Sequence, residues 1–342
     1  MMNRKFLLKV IIAAGALIIA ALIVEISLRM MNYHPRFMEM EMFVEEKNDL
    51  LPYTLKPNYE GYQVGKYVKL DSEGNRIVTP LPVEISENIK EQNILILGDS
   101  VVFGFGLENG QTFASQLQHL SNKNNSNYIV KNIGAPGYTS WNEYEALKQY
   151  IENHNVDIVI LFYVFNDVTL DNNALIVMSQ DQKRRYSPLK RTLYRNIYLL
   201  SFINETTARF KDNTGVTGAS ENRDDKIVDQ LYSTYLNQEA LDYSMNAISK
   251  IKSLCDENGI ELLVAIPRFH MWYYNYPEFS KDFELDLISR LNKSGVKAYV
   301  AKSHVDNLSV EEINVYTNDH HPSALAVEYI VNEIYQQIEL NK

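Results

Sequence analysis

Between Phe6 and Val24 the chain runs FLLKVIIAAGALIIAALIV, 19 residues broken only by Lys9. This run constrains the fold more than any other feature. Inside a bilayer there is no water to bond the backbone, so a lone segment satisfies its own N–H and C=O groups only as a helix. At 1.5 Å per residue that helix spans about 28 Å, roughly one hydrocarbon thickness. Lys9 lies near its start, where a long stem carries the ammonium back to the headgroups. Arg4, Lys5 and Lys9 therefore hold the N-terminus in the cytoplasm and send the remainder across. A cleaved signal peptide and a buried core helix are the other readings. Ala13, Ala14 and Ala16 fall inside the run, too early for a cleavage site, and residues 25–29 contain no A-x-A. Core helices rarely run this long without a polar interruption. The expectation is an uncleaved, single-pass anchor over residues 1–31, with the rest of the chain outside a bacterial cell membrane.

The chain as a whole has ordinary globular composition. Of 342 residues, 46% are hydrophobic and 22% charged, which excludes wholesale disorder and collagen-like repeats. Cys255 is the single cysteine, so neither an intramolecular disulfide framework nor a cysteine-based zinc cluster is available. A net charge of −10 argues against a nucleic-acid partner, since phosphate backbones are gripped by clustered Lys and Arg. Seven histidines without an H-x-x-x-H pair offer no metal site, and no cofactor motif is present.

Residues 32–92 read as a lead-in of short strands and turns, punctuated by Pro, Gly and Asn. From residue 93 the pattern becomes periodic. Short apolar runs at 93–97 (NILIL), 128–132, 157–163 (DIVILFY), 261–266 (ELLVAI) and 297–300 read as strands. Helices are expected near 111–120, 141–153, 227–258, 278–292 and 323–339. Strand and helix in alternation predict an α/β domain over 93–342, with a central parallel sheet covered on both faces. A polar, Tyr-rich stretch at 168–225 is expected as an insertion at the top of that sheet. It includes six Lys and Arg, and no acid, between Lys183 and Arg195, suited either to steering an anionic glycan or lipid headgroup or to an ordinary solvated surface.

Four short blocks carry chemistry. Gly98-Asp99-Ser100 follows the first buried strand, and in parallel α/β sheets ligands gather at strand carboxyl ends. Asp319-His320-His321-Pro322 precedes the last helix. A serine nucleophile needs a base within hydrogen-bond reach and a third group to hold that base in one tautomer. Asp319 and His321, two residues apart, are able to fold onto each other, whereas His320 would have difficulty turning its ring toward an adjacent carboxylate. Gly137, in NIGAPGYTS, and Asn166, in LFYVFNDV, follow two further strands. With the Ser100 N–H they supply three donors for an oxyanion.

The order of these blocks resembles the SGNH (GDSL-type) hydrolase superfamily over about residues 93–340. The resemblance implies a three-layer, flavodoxin-like sandwich. It implies Ser100 as nucleophile, His321 as base oriented by Asp319, and Ser100, Gly137 and Asn166 as the oxyanion hole. The upstream LKPN (55–58) and LDSEGNR (70–76) are similar to the lead-in of membrane-anchored bacterial members linked to envelope polysaccharides, which implies envelope-assembly proteins as partners. The chain departs from the family pattern in three places. Phe165 stands where a Gly is usual and places a bulky ring beside the oxyanion face. Asn318 occupies the position three residues before the base where many members have Asp. The helix after His321 reads SALAVEY, without the frequent Gly-His.

An ester hydrolase acting on acylated carbohydrate or lipid, an O-acyltransferase, and an idle glycan-binding subunit all remain open at this point. Asp99, Arg268 and Trp272, the last in the aromatic run after the fourth strand, are candidate substrate contacts.

Overall fold

The computed structural model describes residues 4–83, 91–185, 187–214, 237–268, 277–301, 307–316 and 319–340. The first element, α1 (Arg4–Met30), is a 27-residue helix long and apolar enough to cross a membrane, and no part of its apolar window packs inside the protein. Two hairpins come next, β1 (Phe43–Asn48) with β2 (Leu51–Leu55) and β3 (Glu60–Gln63) with β4 (Lys66–Lys69), both antiparallel.

The α/β domain then opens with β5 (Gln92–Leu97), the short α2 (Ser100–Phe103), α3 (Phe113–Asn124), β6 (Tyr128–Asn132), α4 (Ser140–Ile151) and β7 (Ile158–Phe162). Three helices occupy the polar stretch: α5 (Ala174–Arg185), α6 (Pro188–Asn196) and α7 (Tyr198–Thr214). The domain closes with α8 (Gln238–Glu257), β8 (Glu261–Pro267), α9 (Pro277–Lys293), β9 (Ala298–Ala301), α10 (Val310–Ile313), the hairpin β10 (Asn314–Tyr316) and β11 (Asp319–Pro322), and α11 (Ala324–Glu339).

Five strands form one parallel sheet in the order β6-β5-β7-β8-β9. Its two faces arise from side-chain alternation along each strand. Ile94, Ile96, Ile158, Ile160 and Phe162 point to one side, where α3 and α11 cover them with Phe113, Leu117, Ile330 and Ile334. Leu95, Leu97, Val159, Leu161 and Val264 point to the other, against Leu147 of α4, Ile248 and Ile251 of α8, and Leu287 of α9. Each such fully buried aliphatic side chain contributes about 1.5–3 kcal/mol. The expected α/β three-layer arrangement with a central parallel sheet is therefore what the chain adopts.

The lead-in has its own core. Met42, Tyr53, Leu55, Val68 and Leu70 bury themselves against Phe103, Ala135, Tyr138 and Leu175, so the hairpins are clamped onto the loops that leave β5 and β6. Arg76, 1% exposed, drives a guanidinium into that junction and donates to the carbonyls of Phe103, Gly104 and Leu107, and to Asn109. Upstream, Arg36 lies over the Tyr316 ring at 3.7 Å and pairs with Glu205 of α7. The segment leaving α1 thus touches both the helical insertion and the β10–β11 hairpin.

The strand order reverses between β5 and β7, the first running to β6 on one side and the second to β8 on the other. Crevices form at such switch points, beyond the carboxyl ends of the strands. Ser100 leaves β5 there and Asn166 leaves β7 there.

Candidate active site

Ser100 opens α2 directly after β5. Gly98 permits the sharp exit, because a Cβ at that position would stand 2.5 Å from Val102 Cγ2. Asp99 is the N-cap, its Oδ1 accepting the Val101 N–H at 2.8 Å. Helices leave their first N–H groups without intrahelical acceptors. The Ser100 N–H is one of these, and among the described residues it donates to nothing.

The β10–β11 hairpin brings the base to the serine. Asp319 Oδ1 accepts the backbone N–H of His321 at 3.0 Å and the ring Nδ1–H at 2.5 Å. This local turn explains why the residue two positions on, rather than the adjacent one, can meet the carboxylate. With Nδ1 donating, Nε2 is an acceptor, and it lies 2.8 Å from Ser100 Oγ. The Phe105 ring packs on the imidazole, centroids 4.5 Å apart, and fixes its other face. Both His321 and Asp319 keep about a fifth to a quarter of their side chains open to solvent, 24% and 21%, so a substrate can reach them.

Asn166 sits in the turn after β7, exposed at the crevice. One Nδ2 hydrogen goes to Asp99 Oδ2 at 2.8 Å, and the other makes only a long contact, 3.4 Å, to the Tyr138 carbonyl. Gly137, one residue earlier in that loop, has φ +82°, and a Cβ there would strike Ala174 at 2.7 Å. Its N–H, like that of Ser100, donates to nothing among the described residues. The structure therefore gathers Ser100, His321, Asp319 and Asn166 in one hydrogen-bonded cluster, with the Gly137 loop against its Asn166 edge.

Three candidate substrate contacts fare differently. Asp99 is 3% exposed and accepts from Val101 and Asn166, with the Ser100 hydroxyl oxygen 3.2 Å away, so it faces inward and braces the site. Burial pushes its carboxyl above the usual range, against the pull of those donors and of His321. Arg268 pairs with Glu284 along one guanidinium edge, Nε at 3.0 Å from Oε1 and Nη2 on Oε2, which holds the end of β8 onto α9. Trp272 lies outside the described residues, as do Asn318 and the side chains of His320 and Phe165.

A second layer of polar groups supports the Asn166 turn. Asp167, buried, accepts the Val164 N–H at 2.7 Å and the Ser140 hydroxyl at 2.8 Å. Ser140 in turn meets Ser244, which meets the Tyr163 hydroxyl. Beside them Glu143 is wholly buried, and neither of its oxygens has a partner among the described residues. Burial first, then the neighbouring Asp167 and Asp99 carboxyl groups, push Glu143 well above the usual carboxyl range. The only sequence signals for this layer are the Asp immediately after Asn166 and a Ser at the head of α4. Neither points to function by itself.

A hydroxyl, an acceptor imidazole, an orienting carboxylate and open N–H donors are together the equipment for nucleophilic attack on a carbonyl. Among the described residues no cluster of His, Cys, Asp and Glu is arranged to hold a metal ion.

No family model and no curated protein matches the sequence. Among solved structures, the chain is similar to TesA at 13% identity, covering 73% of this chain and 99% of that one with a TM-score of 0.43. It is similar to a member of the lipolytic protein G-D-S-L family from Veillonella parvula DSM 2008 at 9% identity, 72% and 97% coverage and a TM-score of 0.42. AlinE4, an SGNH-hydrolase family esterase, is similar at 14% identity, 75% and 98% coverage and a TM-score of 0.38.

Proposed function

We propose that the protein is a membrane-anchored, extracytoplasmic serine esterase that acts on O-acyl esters, acetyl esters of carbohydrate or lipid foremost, through an acyl-enzyme on Ser100. The observation that carries this reading is the continuous chain of hydrogen bonds from Asp319 through His321 to Ser100.

Ser100 Oγ attacks the ester carbonyl while His321 Nε2 takes its proton, and Asp319 stabilises the resulting imidazolium. The carbonyl oxygen becomes an oxyanion, received by the N–H groups of Ser100 and Gly137 and the second N–H of Asn166. Collapse expels the alcohol, which leaves with the proton from His321. Water then enters, gives a proton to His321 and releases the acid, restoring Ser100. A sugar hydroxyl in place of water would make the same residues an O-acyltransferase serving envelope polysaccharide, in the company of other envelope-assembly proteins. An idle glycan-binding subunit would have no need of the hydrogen-bonded triad.

Contacts between the end of α1 and the rest of the protein support retention of the anchor. Glu25 accepts the N–H groups of Tyr198 and Leu199 at 3.3 and 2.8 Å, and Arg29 donates to the Asn196 carbonyl at 2.7 Å. A leader removed after export would contribute nothing to these bonds.

The test is release of acetate from an aryl acetate by the full chain in detergent, with Ser100→Ala beside it. Turnover by the parent and none by the variant is expected. Equal activity in both would overturn the assignment of Ser100. Adding an oligosaccharide acceptor and weighing it afterwards separates hydrolysis from transfer.

A further inference from the structure

The helical insertion leaves a run of large apolar side chains exposed. Soluble surface helices turn apolar side chains inward and charges outward. On α6, Arg191 and Arg195 reach Glu39, whose side chain is 12% exposed, and keep 33% and 46% of their own side chains open, while Leu189 and Leu193, one turn apart, stand 71% and 40% exposed beside them. Ile197 continues the stripe at the corner, and Phe202 and Ile203 carry it onto α7, the latter 52% exposed.

The position of this surface is as telling as its chemistry. The corner between α6 and α7 is fastened to the last turns of α1 by Glu25 and Arg29, and the Arg29 guanidinium also lies 4.2 Å from the Tyr198 ring centre. Tyr33, just beyond α1, packs edge-on against Phe202 at 5.7 Å. Glu25 is the residue immediately after the apolar run. The exposed stripe therefore begins at the level where the first helix leaves the hydrocarbon.

We propose that α6 and the start of α7 lie in the headgroup boundary of the outer leaflet, a second membrane contact beside the spanning helix. The occupant of the apolar stripe is the lipid bilayer itself, and the inference rests on the anchored reading of the first helix. An interfacial helix sinks its apolar face about 5–10 Å, into the boundary between headgroups and acyl chains. A stripe left open at that height would otherwise be a contiguous apolar patch in water, which soluble monomers rarely show.

Labelling tests this with the full chain in lipid nanodiscs. Single cysteines at Leu17→Cys, Leu193→Cys, Ile203→Cys and, as a water-facing control on α9, Leu285→Cys would each carry an environment-sensitive fluorophore. The native Cys255 does not interfere, being buried with its thiol pushed up to about 12. Nitroxide lipids then quench by depth. Labels at 193 and 203 should lose emission to a nitroxide near the headgroup end of the acyl chain, the label at 17 to one near the terminal methyl, and the label at 285 to neither. Quenching at 17 with none at 193 and 203 overturns this proposal and leaves the anchor standing. So does a label at 193 that is shielded from water yet unquenched, which would report a second copy or another protein on the stripe. Absence of quenching at 17 overturns the anchor and this proposal together.

Discussion

Asp99 Oδ2 and Asn166 Nδ2 are 2.8 Å apart, a bond that ties the residue before the candidate nucleophile to the side chain expected to receive the oxyanion. It joins the ends of β5 and β7 across the point where the strand order reverses. One N–H of Asn166 is thereby held, and the direction of the other is set.

Replacing Asp99 by Asn keeps size but puts an amide where the carboxylate was, so a donor can face the Asn166 donor. The expected result is a fall in kcat of about 10-fold or more with KM little changed, a fraction of what losing an oxyanion donor outright costs. Asn166→Ala, which removes that donor, should lower kcat by about 100- to 1000-fold. Steady-state kinetics on an aryl acetate measure both, and a loss confined to KM would contradict the assignment.

Asp319→Asn should be nearly as damaging as loss of the serine. The amide would present N–H to Nδ1, favour the opposite tautomer and leave Nε2 carrying a hydrogen toward Ser100. A drop in kcat of about four orders of magnitude is expected, with the folded structure intact by circular dichroism.

Glu143→Gln separates a buried neutral acid from a buried charge. The Glu143 pKa in the folded protein lies well above its ordinary 4.5. Its contribution to stability is therefore complete below about pH 4.5 and is lost progressively as pH rises, because the unfolded chain releases the proton and the folded one must keep it. Urea unfolding across that range should show the parent losing stability with rising pH more steeply than the Gln variant. Parallel pH curves would contradict a protonated Glu143.

Arg76→Met should destabilise without touching the chemistry directly. Removing the guanidinium strands the carbonyls of Phe103 and Leu107 at a buried junction and takes one of two donors from that of Gly104. Each unsatisfied group costs about 1–3 kcal/mol, so a loss of roughly 2 kcal/mol or more is expected in chemical unfolding. Burial pushes Arg76 down to about 9, still protonated at neutral pH.

Local signals explain which parts of this architecture are readable from the chain. The strands of the sheet announce themselves because they are buried on both faces, so runs such as Ile158–Phe162 need no partner to be recognised. Ser100 and Asn166 are approachable because each follows such a strand, and His321 because it directly precedes the last helix. The inward role of Asp99 and the pairing of Arg268 with Glu284 are not, since nothing in a tripeptide or a lone arginine says which way it faces. The brace from Asp167 to Ser140 and Ser244 joins residues far apart in the chain, and only packing brings them together. In 168–225, charge and tyrosine content suggest a polar insertion. The apolar outward stripe of α6 depends on where the arginines find a carboxylate, and Glu39 lies about 150 residues upstream.

Arg36, stacked on Tyr316 and paired with Glu205, ties the segment after the first helix to the hairpin that carries the base. An enzyme on a long leash sweeps a volume. One bolted down at this point works at a fixed stand-off, and its encounters become a search across a surface. On the anchored reading, esters displayed at that height would be consumed in preference to identical esters drifting free, with selectivity set by altitude before any pocket is consulted.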